Sequence, residues 1–226
     1  MLFAGGDQAN YVRWKNTALI RAVRHVYERG GVVGGGSAGL AIQGAVVFDS
    51  VSDDKLSPNG ADVATRDALA DPLERMISFT TNFFSWPPLR DAITDTHFAR
   101  RDRFGRLVAF MERALAEHLV AGARIYGVAV DEGSVLLVDG QGRATLYSKR
   151  ESDGYQSLGA WILTARALRL RPGRPLHATV DVVHLSGSGA RFDLETKTGA
   201  GTRYCVTVNG AARPMYSRNP YTGASR

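Results

Sequence analysis

The sequence predicts an α/β fold with a mostly parallel sheet covered by helices, followed by a β-rich C-terminal extension. Three observations carry this. The first part of the chain alternates strand, helix, strand and helix, the pattern of a parallel sheet. Gly35-Gly36-Ser37-Ala38-Gly39 is a G-x-S-x-G sequence between the apolar pair Val32-Val33 and the small, apolar stretch Ala38–Ile42, the form of a sharp strand-to-helix elbow. From about residue 160 the period changes to two, as in Ala178-Thr179-Val180-Asp181-Val182-Val183. A length of 226 residues with 44% hydrophobic content suits one α/β domain with a small β-rich addition.

In chain order, Leu2-Phe3-Ala4 reads as a buried strand end running into the loop Gly5-Gly6-Asp7-Gln8. Residues 16–29 read as a helix capped by Asn16 or Thr17, with Leu19, Ile20, Val23, Val26 and Tyr27 on one face. Gly30-Gly31 ends it. Val32-Val33 then leads into the elbow, and a helix starts near Ala38. Between 50 and 90, Asp53-Asp54-Lys55, Pro58-Asn59-Gly60 and Pro87-Pro88 mark loops, and Leu69–Phe84 holds a short helix or strand. Ile93–Phe98 reads as a strand with a polar end. The helix after it presents Phe104, Leu107, Val108, Met111 and Leu115 on one face. Tyr126–Val130 is a short buried strand ending at Asp131-Glu132-Gly133. Ser134–Val138 and Arg143–Tyr147 form a hairpin around Asp139-Gly140-Gln141-Gly142. The catalytic-type α/β domain is assigned to 1–145 and the β-rich extension to 146–226. The last dozen residues, largely polar, are candidates for disorder.

Composition narrows the function classes. The net charge is +6, and only four of 28 basic residues are Lys, so the excess is nearly all Arg. The one local cluster is Arg100, Arg101, Arg103 and Arg106, without the dense basic run or module of a nucleic-acid binder. No apolar run has spanning length, and Met1-Leu2-Phe3 lacks a basic leader region, so neither a membrane nor an export signal is expected. The single cysteine, Cys205, sits in an alternating run and reads as structural.

An elbow serine needs a base, and the base an orienting carboxylate. Of five histidines, His97 is the one at a strand end within the parallel-sheet region; Asp95 lies two positions before it. Glu132 is the other carboxylate ending an apolar strand. Asp95 reads equally as a helix cap, and Glu132 equally as the ion-pair partner of an arginine. The order Ser37…His97…Glu132 is not the Ser…acid…His order of α/β-hydrolases.

Four motifs together point to a family. Gly5-Gly6-Asp7-Gln8, the elbow Gly34–Gly39, the segment Asp95-Thr96-His97-Phe98 with Arg101-Asp102-Arg103-Phe104-Gly105-Arg106-Leu107, and Gly127–Glu132 occur in the order seen there. The chain resembles the cyanophycinase-like serine peptidases, the group that includes the aspartyl dipeptidases. The resemblance implies a three-layer α/β/α sandwich related to class I glutamine amidotransferases. It implies Ser37 as nucleophile, His97 as base, Glu132 as orienting acid, and an oxyanion hole from the N–H of Ala38 and of the Gly5-Gly6 loop, Gly6 by position. It places Gln8, Asp95, Thr96, Arg101, Arg103 and Arg106 around the substrate, an acidic aspartyl peptide, with neither metal nor cofactor.

The chain departs from the family in several places, among them Lys55 and the long 50–90 insertion, where the family's acidic pocket residue has no counterpart, and the β-rich tail after about residue 145. Thr96 stands where the family has Gln, Gly36 where it has Thr, and the Gly-Gly-Asp-Gln loop comes at residue 5 where relatives have further strands before it. The last departure predicts poor stability as a lone monomer, an oligomer, or completion by another chain. Two other functions remain in view: a silent or partner-dependent peptide-binding relative, and a general serine esterase or amidase whose pocket is lined by Phe83-Phe84-Ser85-Trp86. Compartment and scissile bond stay open.

Overall fold

The computed structural model describes residues 1–49, 62–149, 159–166 and 170–225. The loops expected at Asp53–Lys55 and Pro58–Gly60 lie outside the described residues. In order, the chain forms β1 (Leu2–Phe3), α1 (Gln8–Val12), α2 (Ala18–Glu28), β2 (Gly34–Gly35), α3 (Ala38–Ala41), β3 (Val46–Phe48), α4 (Thr65–Ala70) and β4 (Phe79–Thr81). After a 3-10 turn at Pro87–Leu89 come β5 (Ala92–Thr96), α5 (Phe104–Ala116), β6 (Arg124–Val130), β7 (Ser134–Val138), β8 (Arg143–Ser148) and β9 (Ala160–Arg166). Then follow β10 (His177–Leu185), β11 (Arg191–Asp193), β12 (Thr198–Gly199) and β13 (Thr202–Asn209).

The fold is α/β, built on a seven-stranded mixed sheet of order β13-β10-β9-β6-β5-β3-β4. The expectation of a mostly parallel sheet is corrected here. Among the described residues of this sheet, only β3–β5 and β5–β6 pair in parallel; β4, β9, β10 and β13 all join antiparallel. The cause lies in the β-rich sequence after residue 145. Three of its strands extend the central sheet beyond β6, and hairpin-like returns between them impose opposite directions.

Alternation along the strands shows what covers each face. Ile125 and Ala129 of β6, and Trp161, Leu163 and Ala165 of β9, pack with Phe104, Leu107 and Met111 of α5. Val128, Val130 and Ile162 point the other way, onto Leu146 and Phe192 of a second, four-stranded antiparallel sheet of order β12-β11-β8-β7. Further along that second face, Val47 of β3 meets Ile20 and Val23 of α2. One face is therefore helical, while the other is shared between helix and sheet.

Local differences have simple causes. α2 forms as its spacing predicts, but Leu19 turns outward at 43% exposure. The strand expected at Val32-Val33 forms two residues later, where Gly34 and Gly35 pair in parallel with Leu2 and Phe3. The stretch between Leu69 and Phe84 holds the end of α4 and all of β4. Within residues 215–225, Tyr216 and Tyr221 tie the tail to the body of the fold. Tyr216 bridges Val208. The Tyr216 hydroxyl accepts the N–H of Gly105 and that of Tyr221 accepts the N–H of Phe104, each at 3.2 Å. Both hydroxyls donate to the Asp102 carboxylate, at 3.1 and 2.7 Å. Tyrosines set among polar residues thus pin the tail to the start of α5.

Candidate active site

β5 and β6 are parallel neighbours, so their carboxyl ends lie side by side. His97 follows the last residue of β5, and Glu132 lies two positions beyond the end of β6. Ser37 is the residue before α3, which packs against β5. There the Thr94 hydroxyl donates to the Leu40 carbonyl at 2.7 Å. Three loops therefore converge on one point.

The elbow is closed by glycines. A Cβ on Gly39 would stand 2.3 Å from the Phe3 carbonyl oxygen, and one on Gly35 2.5 Å from the same atom. Only a bare backbone lets β1 pass so near the turn. The turn itself puts Ser37 at φ 53° and ψ −124°, a conformation non-glycine residues rarely hold. His97, at φ 49°, is held in the same unusual half of backbone space.

Ser37, His97 and Glu132 come together as a continuous relay. The Ser37 hydroxyl lies 2.9 Å from His97 Nε2, and His97 Nδ1 lies 2.7 Å from Glu132 Oε1. An ionised carboxylate only accepts, so Nδ1 carries the ring proton. Nε2 is left as the acceptor facing the serine. The His97 side chain keeps 19% of its surface and Glu132 36%, so the relay opens to solvent on one side. The Gly5-Gly6 loop lies against the serine: a Cβ on Gly5 would be 3.7 Å from Ser37 Oγ. The N–H of Ala38 opens α3 and has no carbonyl within the helix to donate to.

The sequence-predicted substrate residues fare differently. Gln8 opens α1, whose first turn is capped by Asp7 accepting the Ala9 N–H at 2.9 Å. Arg101 is exposed. Asp95, Thr96, Arg103 and Arg106 are buried and engaged with one another. Arg106 grips both oxygens of Asp95, at 2.6 and 2.9 Å, and reaches Asp62 at 2.7 Å. Arg103 donates to the Thr96 carbonyl at 3.1 Å and to Asp62 at 3.2 Å. Burial works upward on the Asp62 carboxyl, but Arg106 and Arg103 outweigh it and hold it below its ordinary value. A pocket of about 280 Å³ borders Asp62, Arg101, Arg103 and Arg106, with neither Ser37 nor His97 in its lining.

Asp95 and Thr96 therefore serve the peptide that carries His97. The Asp95 carboxylate accepts the Thr96 N–H at 2.8 Å, and Arg103 holds the Thr96 carbonyl. Sequence reasoning missed two residues here. Asp62 lay in a segment without a readable pattern. Asp131 was visible only as a strand-end acid. Its buried carboxylate accepts the N–H of Arg100 at 3.3 Å and also meets those of Ala99 and Glu132. It thus joins the His97 loop to the Glu132 loop, and burial holds its carboxyl above the ordinary value. Phe83, Phe84 and Trp86, expected at an apolar pocket, are instead buried with Phe3 and Tyr27.

Among the described residues no cluster of His, Cys, Asp and Glu is arranged to hold a metal ion. Among the described residues no helix is long and apolar enough to cross a membrane. No protein-family model matches the chain, and no curated protein matches it.

Proposed function

We propose that the chain is a serine hydrolase that cleaves peptide bonds at aspartyl residues through an acyl-enzyme. The observation that carries this is the relay of 2.9 and 2.7 Å from Ser37 through His97 to Glu132. In the proposed reaction His97 Nε2 takes the hydroxyl proton as Ser37 Oγ attacks the carbonyl carbon. Glu132 holds the ring in the Nδ1–H tautomer and stabilises the imidazolium. The oxyanion forms beside the N–H groups of Ala38 and Gly6, at the start of α3. His97 then returns the proton to the leaving amine, and water, activated the same way, releases the acid.

The four-motif resemblance to cyanophycinase-like peptidases supports the aspartyl preference and a three-layer, class I glutamine amidotransferase-like arrangement of the α/β part. Arg103 and Arg106 pair with the Asp62 carboxylate, a contact of the kind an aspartyl side chain would make. Arg101 is the arginine of the set with no carboxylate engaged in a salt bridge among the described residues. The esterase reading loses its support because its aromatic residues are in the core.

A panel of α- and β-linked aspartyl dipeptides, with matched alanyl and asparaginyl dipeptides, tests the reading. Turnover of aspartyl members, abolished in Ser37→Ala, is expected. Equal turnover across the panel would refute the aspartyl preference, and turnover that survives in Ser37→Ala would refute the mechanism.

A further inference from the structure

A groove of about 410 Å³ lies on the second face of the central sheet, where the four-stranded sheet stops short of covering it. Its floor follows the strand register. Tyr126, Thr164, Asp181 and Cys205 are paired neighbours across β6, β9, β10 and β13. The adjacent row brings Ile162, Val183 and Arg203 together. The two rows lie level with Tyr126 and Val128 of β6, six and four residues before Glu132, which puts the groove at most roughly 13–20 Å along the strand from the relay at about 3.3 Å per residue.

Three cations border this floor: Arg124, Lys197 and Arg203. Among the described residues none of them forms a salt bridge. Lys197 is the most unusual. It sits at φ 59° in the turn between β11 and β12, and its ammonium lies 3.5 Å from the centroid of the Tyr126 ring. That ammonium donates to the Leu194 carbonyl, which leaves two of its three hydrogens. Burial pushes its pKa down; the nearby acids Glu195, Asp91 and Asp193 only partly offset this. Glu195 is itself engaged by Arg90 at 2.7 Å. Arg203 is tied to the same turn, donating to the Lys197 carbonyl at 3.3 Å, with its guanidinium 5.9 Å from the Phe192 ring centroid. The acid on the floor, Asp181, accepts the Cys205 S–H at 3.0 Å.

We propose that this groove is a binding site for a small organic anion, distinct from the Ser37 site. A carboxylate or phosphate head is met by Lys197 and Arg203, with Arg124 adding positive field from the start of β6. The apolar body lies on Ile162, Val183 and Phe192. The physical reasons are a half-buried ammonium with no salt bridge among the described residues, three cations against one acid in the groove's lining while Glu195, Asp91 and Asp193 stand outside it, and an apolar floor beside them. The volume is within the roughly 300–1,000 Å³ usual for small-molecule sites. The inference does not depend on the chain being a hydrolase.

The test uses the full chain with phenylacetate and phenyl phosphate as probes, and 2-phenylethanol as their neutral counterpart. Calorimetric titration gives affinity, and the methyl NMR signals of Ile162 and Val183 locate the site. We expect saturable binding of at least one anion, at least tenfold tighter than the alcohol, with those methyl signals shifting. Preference between the two heads identifies the carboxylate or the phosphate class. Arg203→Glu and Arg124→Glu should each weaken binding at least tenfold, whereas Ser37→Ala leaves it unchanged. If a reversal lowers the melting temperature, Lys197→Met supplies the same comparison. Absence of saturable binding overturns the site, as does alcohol binding of equal strength or anion binding indifferent to these substitutions.

Discussion

Two residues of the relay, Ser37 at φ 53° and His97 at φ 49°, hold backbone conformations that cost about 1–3 kcal/mol each. Their surroundings impose those conformations, and single substitutions should expose the constraint. Gly39→Ala puts a methyl group within 2.3 Å of the Phe3 carbonyl, so it should destabilise the chain by about 1–3 kcal/mol and abolish activity. Gly36→Ala meets nothing within 4 Å and should leave both intact. Urea unfolding of the two variants checks the contrast. Glu132→Gln should keep the fold yet lower turnover by about 10³–10⁴-fold, because the amide no longer selects the Nδ1–H tautomer. Asp131 makes a prediction with a sign. Its carboxyl is raised by burial, so the native state keeps a proton that the unfolded chain has released. This contribution to stability is complete below the unfolded value and disappears as pH rises through the native one. Asp131→Asn removes that slope, read as the pH dependence of the urea midpoint, and retains an oxygen for the loop N–H groups. The elbow and relay were legible because motif chemistry demands those residue types. Asp62 and Asp131 were not, since an acid serving backbone or arginine partners leaves no periodic trace. Arg103 and Arg106 stood out as basic, but nothing in a linear pattern marks whether an arginine faces ligand or a buried acid.

At the level of elements, length decided what could be read. α2, α5, β5, β6 and the β7–β8 hairpin run long enough to show their period. β2, α1, β3 and β4 are two to five residues each, too short for any pattern to accumulate. α5 also shows why its neighbours matter. The N–H groups of Phe104 and Gly105, which no helical carbonyl can satisfy, are accepted by Tyr221 and Tyr216 from the far end of the chain. This also explains why a tail that reads as polar is ordered. Tyr221→Phe should cost about 1 kcal/mol of stability, and the double change with Tyr216→Phe more, because Asp102 then loses both donors. Thermal melts with a two-state fit measure this; a double variant as stable as the natural chain would count against the cap.

The whole molecule combines a parallel core of β3, β5 and β6, His97 and Glu132 lying beyond the ends of β5 and β6, with antiparallel strands on either side. Alternation in the sequence foretold the β-rich part. It did not reveal that β9, β10 and β13 add to the same sheet, because register and partner choice depend on which strands meet in three dimensions. Among the described residues β1 and β2 pair only with each other, and Met1, Leu2 and Val32 around them are 48, 79 and 69% exposed. That exposure predicts self-association rising with concentration, to be followed by light scattering and reduced in Leu2→Ser. The central claim is that Ser37 is activated by His97 and Glu132. Intact mass after treatment with a fluorophosphonate tests it most directly. A single covalent adduct is expected on the natural chain and none on Ser37→Ala. A folded natural chain that takes up no adduct, or an adduct that persists in Ser37→Ala, would contradict it.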